Sequence, residues 1–182
     1  MIRYVALLRG INVGGNNIIS MADLKASFER RGFLSVRSYI NSGNILFLSE
    51  SDADEVRAAC EKLIAEDFSL DIPVCVISAS DLIAAIDAAP GWWGSDTTAR
   101  HDAFFVIPPL TAQEICAHVG EVKEDYEKAS VFGEVIFWSA PIVTFSRTRW
   151  AKIVVDKKMY HSITVRNSNT AKKLAEMVRT EV

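Results

Sequence analysis

Apolar residues recur in two rhythms along this chain. Ile2–Leu8 is a short, nearly continuous apolar run, which predicts a buried strand. Met21, Leu24 and Phe28 then fall on one helical face; Ser20 with Asp23 resembles a capping box, and Gly32 closes the helix. Val36–Ile40 and Ile45–Leu48 read as strands joined by the turn Asn41-Ser42-Gly43-Asn44. Ser51 and Asp54 open a second helix whose stripe is Val56, Ala59, Cys60, Leu63 and Ile64. Ile72–Ile77 is a fourth strand, so the order is β-α-β-β-α-β.

A short helix over Asp81–Asp87 leads to the break Pro90-Gly91-Trp92-Trp93-Gly94-Ser95. The pattern then recurs. Ala103–Ile107 is a strand, and Thr111 with Glu114 is a capping box for a helix ending near Gly120. Tyr126–Val131 and Val135–Trp138 pair around Phe132-Gly133-Glu134. A helix over Arg149–Asp156 buries Trp150, Ile153 and Val154, Ser162–Val165 is the last strand, and Lys172–Arg179 is a terminal helix on Leu174, Ala175 and Val178. The predicted class is α+β: two ferredoxin-like β-α-β-β-α-β halves with antiparallel sheets, plus a C-terminal helix. The halves are 1–90 and 101–182, with 91–100 as linker. The rival is a single mixed sheet with helices on one face.

Composition narrows the function classes. Hydrophobic residues make up 49% of 182, enough for a core, yet no run approaches the roughly 20 apolar residues of a membrane helix. The first residues read as a strand rather than a signal peptide, so a cytoplasmic protein without membrane association is expected. Cys60, Cys75 and Cys116 are far apart and form no CxxC pair, which argues against a disulfide framework or a zinc finger. The net charge of −3 gives no bulk attraction to nucleic acid. It is unevenly spread: residues 50–71 carry eight acids against Arg57 and Lys62, and residues 147–182 carry nine bases against Asp156, Glu176 and Glu181. That basic stretch is either a solvated face or a surface for an anionic partner.

The connection after the first strand is long. Gly10–Ser20 takes eleven residues where the second half takes Pro108-Pro109-Leu110 before its cap at Thr111. Strand-to-helix connections usually need roughly 2–6 residues. In the expected topology this loop and the Asn41–Asn44 hairpin share one end of the sheet, which gathers Arg9, Gly10, Asn12, Gly14, Gly15, Asn16, Asn41, Ser42, Gly43 and Asn44 as candidate ligand-binding residues. The glycines do not match G-x-G-x-x-G or the P-loop pattern. A looser backbone nest for an anion beside Arg9 is one reading. Plain turn chemistry, with glycine and asparagine supplying left-handed conformations, is the other.

The strings LLRGINVGG, INSGN and ITVRNSNTAKKL, at this spacing, resemble the bacterial domain of unknown function 1697 family, and PGWWG, VIFWSA and TFSRTRW look like its Gram-positive branch. The resemblance covers essentially the whole chain. It implies a two-part α+β fold and no established activity. Family members often carry tryptophan where this chain has Ser168, so an aromatic contact there would be missing.

Arg166 and Asn167 are the remaining candidates. Asn167, Ser168 or Asn169 caps the last helix, and amides at its start beside Arg166 and Lys172 or Lys173 suit a phosphate or carboxylate; a capped helix with a surface ion pair is the plainer alternative. His101-Asp102 would alternate across a strand, which is poor geometry for a dyad. No HxxxH or HExxH spacing suggests a metal, no G-x-S-x-G elbow activates Ser42, Ser146 or Ser168, and no cofactor is called for. Trp92 and Trp93 stack on a base, dock a partner or plug the seam between halves. The leading expectation is a module that binds a nucleotide, RNA or another phosphorylated molecule through the first loop and hairpin. The alternatives are a small enzyme for a phosphorylated or carboxylated metabolite, and a protein-interaction scaffold.

Overall fold

The computed structural model describes residues 1–180. Glu181 and Val182, and the side chains of Val154, Val155, Lys157 and Lys158, lie outside the described residues, so the expected burial of Val154 and part of the basic stretch fall there. The chain divides into two compact units: Met1–Ile83 with the chain from Leu174 onward, and Ala84–Lys173.

The first unit runs β1 (Ile2–Leu8), α1 (Met21–Arg30), β2 (Leu34–Tyr39), β3 (Asn44–Ser49), α2 (Ala53–Phe68) and β4 (Val74–Ser78), followed by α3 (Ala79–Asp87). Its strands form one sheet in the order β2-β3-β1-β4, with every neighbouring pair antiparallel. Alternation along β1 sends Tyr4, Ala6 and Leu8 into a core with Leu24 and Phe28 of α1 and Cys60, Leu63 and Ile64 of α2. Phe33 and Phe47 have ring centroids 4.6 Å apart, and Phe28 lies 5.4 Å from each. The Ser20 hydroxyl accepts from the Asp23 N–H, and Gly32 takes the left-handed φ of +88° that ends α1. The cap of α2 is Asp52, one residue after Ser51 and two before Asp54, the expected openers; its carboxylate accepts from the amides of Asp54 and Glu55. Asp67 of α2 ties α1 down through Ser27, Arg30 and Arg31. The Ser27 hydroxyl first, then the two guanidinium groups, hold its carboxyl below the ordinary range against partial desolvation.

The second unit runs β5 (Ala99–Val106), α4 (Ala112–Val119), β6 (Lys128–Phe132), β7 (Val135–Pro141), two 3-10 turns (Phe145–Arg147 and Trp150–Val155), α5 (Lys157–His161), β8 (Ile163–Asn167) and the start of α6 (Ser168–Thr180). The sheet order is β6-β7-β5-β8, again antiparallel throughout. Two separate four-stranded antiparallel sheets make the chain α+β and exclude the single mixed sheet. The Thr111–Glu114 capping box forms as its spacing predicts. The helix expected over Arg149–Asp156 is a 3-10 segment instead. Ile153-Val154-Val155 is a β-branched run that disfavours the α form. Trp150 and Ile153 are buried there with Phe104, Ile115, Ile136 and Trp138.

Glu127 fixes that segment. It is 2% exposed, and its Oε1 accepts from the amides of Lys123 (3.3 Å) and Arg149 (2.8 Å). Its Oε2 accepts from the Trp138 indole (3.0 Å) and the Trp150 amide (3.2 Å). None of the three cysteines forms a disulfide with another described residue, and burial pushes the Cys60 and Cys116 thiols up. Among the described residues no helix is long and apolar enough to cross a membrane.

Candidate functional site

The long first loop and the β2–β3 hairpin meet in the first unit. The Leu8 amide donates to the Gly43 carbonyl (2.8 Å), and the Asn12 side-chain amide donates to the Asn41 carbonyl (2.9 Å). Asn12 also donates to the Ile19 carbonyl (2.9 Å) and accepts from the Ile19 amide (2.8 Å), so one side chain closes the loop base and fastens it to the hairpin. Residues 12–17 fold into a miniature hairpin: Asn12 N–H to Asn17 O (3.2 Å), Asn16 N–H to Val13 O (3.1 Å), with Gly14 and Gly15 at φ +60° and +79°. Asn17 donates back to the Gly10 carbonyl (3.1 Å). Asn44 is fully buried and donates to the Tyr39 carbonyl and the Ser42 hydroxyl.

The expected residues therefore converge, with divided tasks. Asn12, Asn17, Ser42, Gly43 and Asn44 are framework. Gly10, Gly14, Gly15, Asn16 and Asn41 are exposed, and Arg9 is half-buried with its amide directed at the Pro73 carbonyl (3.3 Å). The exposed tip also carries Val13 (62% exposed) and Ile18 (77%), with Ile40 beside Asn41 at a left-handed φ of +49°. Asn12→Ala is expected to cost about 2 kcal/mol, because it leaves the Ile19 amide and two carbonyls unanswered and puts a Cβ-bearing residue without a side-chain bond at φ +54°. Chemical denaturation reads the loss, and hydrogen exchange at Ile19 shows it locally.

Arg166 and Asn167 belong to the second unit. β8 ends at Asn167 and α6 begins at Ser168, so the expected linker between them does not exist. Arg166 is buried and donates to the Thr164 hydroxyl (3.0 Å) and the Val165 carbonyl (2.9 Å). The Asn167 side chain caps α6 by accepting from the Thr170 amide (2.8 Å). Asn167 stands opposite Asp102 on β5, at the far end of the sheet from the β6–β7 turn.

A cleft of about 560 Å³ opens there, with Asp96, Arg100, His101, Asp102, Asn167 and Ser168 in its lining. Asp102 is 4% exposed; its carboxylate accepts from Arg100 Nε (2.5 Å). Burial raises its pKa, and Arg100 and then His101 only partly offset the rise. His101 is 7% exposed; its Nε2 sits 3.1 Å from the Asp96 carbonyl, while its Nδ1 is buried with no hydrogen-bond partner among the described residues. His101 and Asp102 thus turn to different neighbours, as strand alternation requires. Asp96 Oδ1 accepts from the Thr98 hydroxyl and from the amides of Thr98 and Ala99; the Thr98 hydroxyl leads in holding the carboxyl below its usual range. Trp93 supports the cleft from beneath: its indole donates to the Asp102 carbonyl (2.9 Å), its ring meets Phe137 edge-on at 4.8 Å, and Lys172 Nζ lies 5.4 Å from its centroid. Gly94, at φ +71°, lets α6 approach, since a Cβ there would stand 2.6 Å from Lys172 Nζ and 3.1 Å from Ser168 Cβ.

Residues 1–137, which hold the loop, the hairpin and the Arg100-His101-Asp102 strand, match the family described as "Protein of unknown function (DUF1697)". The chain belongs to that family. A solved structure, "The structure of conserved bacterial protein SP0830 from Streptococcus pneumoniae", is 32% identical with a TM-score of 0.85, over 97% of this chain and 98% of that one. No curated protein matches. Membership of DUF1697 fixes relatedness and leaves chemistry to the site itself. Asp96, Arg100 and Asp102 were missed as site residues, although the dense run Asp-Thr-Thr-Ala-Arg-His-Asp just after the PGWWG string signalled them. A strand expected from its apolar part alone, Ala103–Ile107, begins four residues earlier at Ala99 and carries the polar run into the sheet.

Proposed function

We propose that this DUF1697 member is a cytoplasmic module that binds an anionic ligand, a nucleotide, RNA phosphate or carboxylate, at the start of α6. One observation carries the reading: α6 emerges directly into the cleft, with Asn167 capping only the third amide and Arg100 and His101 in the same lining. The first-turn amides and Arg100 would take the anion. We read each unit as a ferredoxin-like half and the chain as a duplication, a reading supported by the identical strand order in both sheets.

Asn167→Asp tests this. Aspartate caps as well as asparagine, which offsets the like charge it sets opposite Asp102, so the fold should hold; its charge should weaken anion binding about tenfold at low salt. Thermal-shift and filter-binding titrations against nucleotides and RNA read the change, and equal affinity in the two proteins would refute the assignment.

A second reading concerns the rim of the first unit. The side chains of Asn12, Asn17 and Asn44 are spent on backbone carbonyls, while Val13, Ile18 and Ile40 face solvent, which favours a protein contact there over the anion nest. Gly14, Gly15, Asn16 and Asn41 would border that contact. The buried, pKa-raised Asp102 gives the enzyme alternative its one support.

A further inference from the structure

The second unit has another cleft, of about 410 Å³, lined by none of the residues discussed above as the anion site. Val119 and Ile153 give it an apolar lining, and its other lining residues among those described are Lys123, Arg149, Lys152, His118 and one carboxylate, Asp156. That carboxylate is already shared, with His118 Nε2 2.7 Å from Asp156 Oδ2. Lys123 and Arg149 are held in place by local bonding. α4 ends at Gly120, whose left-handed φ of +81° turns the chain, and a Cβ there would stand 2.8 Å from Arg149 Nη1, so the guanidinium rests against bare backbone. Lys123 Nζ donates to the Arg147 carbonyl (2.9 Å). Glu127 binds the amides of Lys123, Arg149 and Trp150, which sets the main chain from which Arg149 and Lys152 project.

We infer that this cleft is a binding site for a small phosphorylated molecule. Arg149 and Lys152 hold the phosphate, Lys123 adds to the field, and the organic part lies against Val119 and Ile153. Three permanent cations against one shared carboxylate would repel one another without an anion among them, and a phosphate offers several acceptors to a planar guanidinium and an ammonium together. A merely solvated basic face would not need Arg149 laid over a glycine or its amide anchored on a buried carboxylate.

Inorganic pyrophosphate is the probe, titrated calorimetrically into the full chain. Saturable, salt-sensitive binding is expected, and Arg149→Ala with Lys152→Ala should weaken it at least about tenfold. Both side chains are exposed, so the double variant should keep its circular dichroism spectrum. Asp156→Asn should act in the opposite direction and tighten binding, because asparagine keeps the acceptor for the Met159 amide (3.3 Å) and removes the repelling charge. Asn167→Asp should leave unchanged the binding component that the Arg149→Ala, Lys152→Ala double variant removes, which separates this site from the one at α6. Absence of saturable binding, an unaffected double variant, a weaker Asp156→Asn protein, or loss of that same component on Asn167→Asp would each overturn the inference.

Discussion

Glu127→Ala is expected to lower the stability of the fold by about 4 kcal/mol, the largest single effect among the side chains described. Both carboxylate oxygens are fully committed, each to two N–H donors, in a position that water barely reaches. Alanine leaves the amides of Arg149 and Trp150 and the Trp138 indole without an acceptor, and an orphaned buried donor costs more than the bond itself returned. Glu127→Gln should recover little, because its NH2 group would oppose two of those donors. For a chain of this size the loss corresponds to a melting temperature roughly 8–16 °C lower. The same substitution releases the segment that carries Arg149 and Lys152, so pyrophosphate binding should fall with it. Urea denaturation together with the pyrophosphate titration reads both consequences.

Gly43→Ala should be nearly as damaging, at about 3 kcal/mol. A Cβ on Gly43 would stand 2.7 Å from Leu8 Cβ and 2.8 Å from Ile11 Cδ1, and the residue holds φ +73°. Leu8 belongs to the central strand and Ile11 is buried, so neither can step aside. Gly14→Ala is the natural comparison: its φ is +60° but its nearest neighbour would be Asn16 Nδ2 at 4.0 Å, so only the dihedral cost of about 1 kcal/mol remains. A difference of two or more between the two variants, measured by denaturant unfolding, isolates the clash from the conformation. Equal losses would mean that the loop and hairpin are not tightly opposed at Gly43.

Most of the fold was readable because strands and helices here obey their own periods. Tyr4, Ala6 and Leu8 alternate into the core, Leu24 and Phe28 are one helical turn apart, and Ser20 and the Thr111–Glu114 pair cap as their spacing says. The convergence of Gly10–Asn17 with Asn41–Asn44 followed from topology alone. What failed to show was polar burial. Glu127 sits in the charged string Glu-Val-Lys-Glu-Asp-Tyr-Glu-Lys and looks solvated, because its value depends on amides more than twenty residues away. Asp102 and His101 were recognised as neighbours on a strand, yet nothing local tells that Arg100 and Asp96 lie beside them. The apparent linker at Arg166-Asn167 is a strand end followed at once by a helix, since Asn167 serves as the last strand residue and the cap together.

α6 enters the second unit and finishes in the first, where Arg3 of the opening strand donates to Val178, 175 positions along the chain. A translating ribosome must therefore deliver nearly every other element before the earliest strand meets that carbonyl, and closing so long a span is slow. No single cut in the gene yields the first unit whole: a fragment stopped near Ile83 lacks the helical turns it shares with the tail, so excised halves are the wrong material for assigning either cleft.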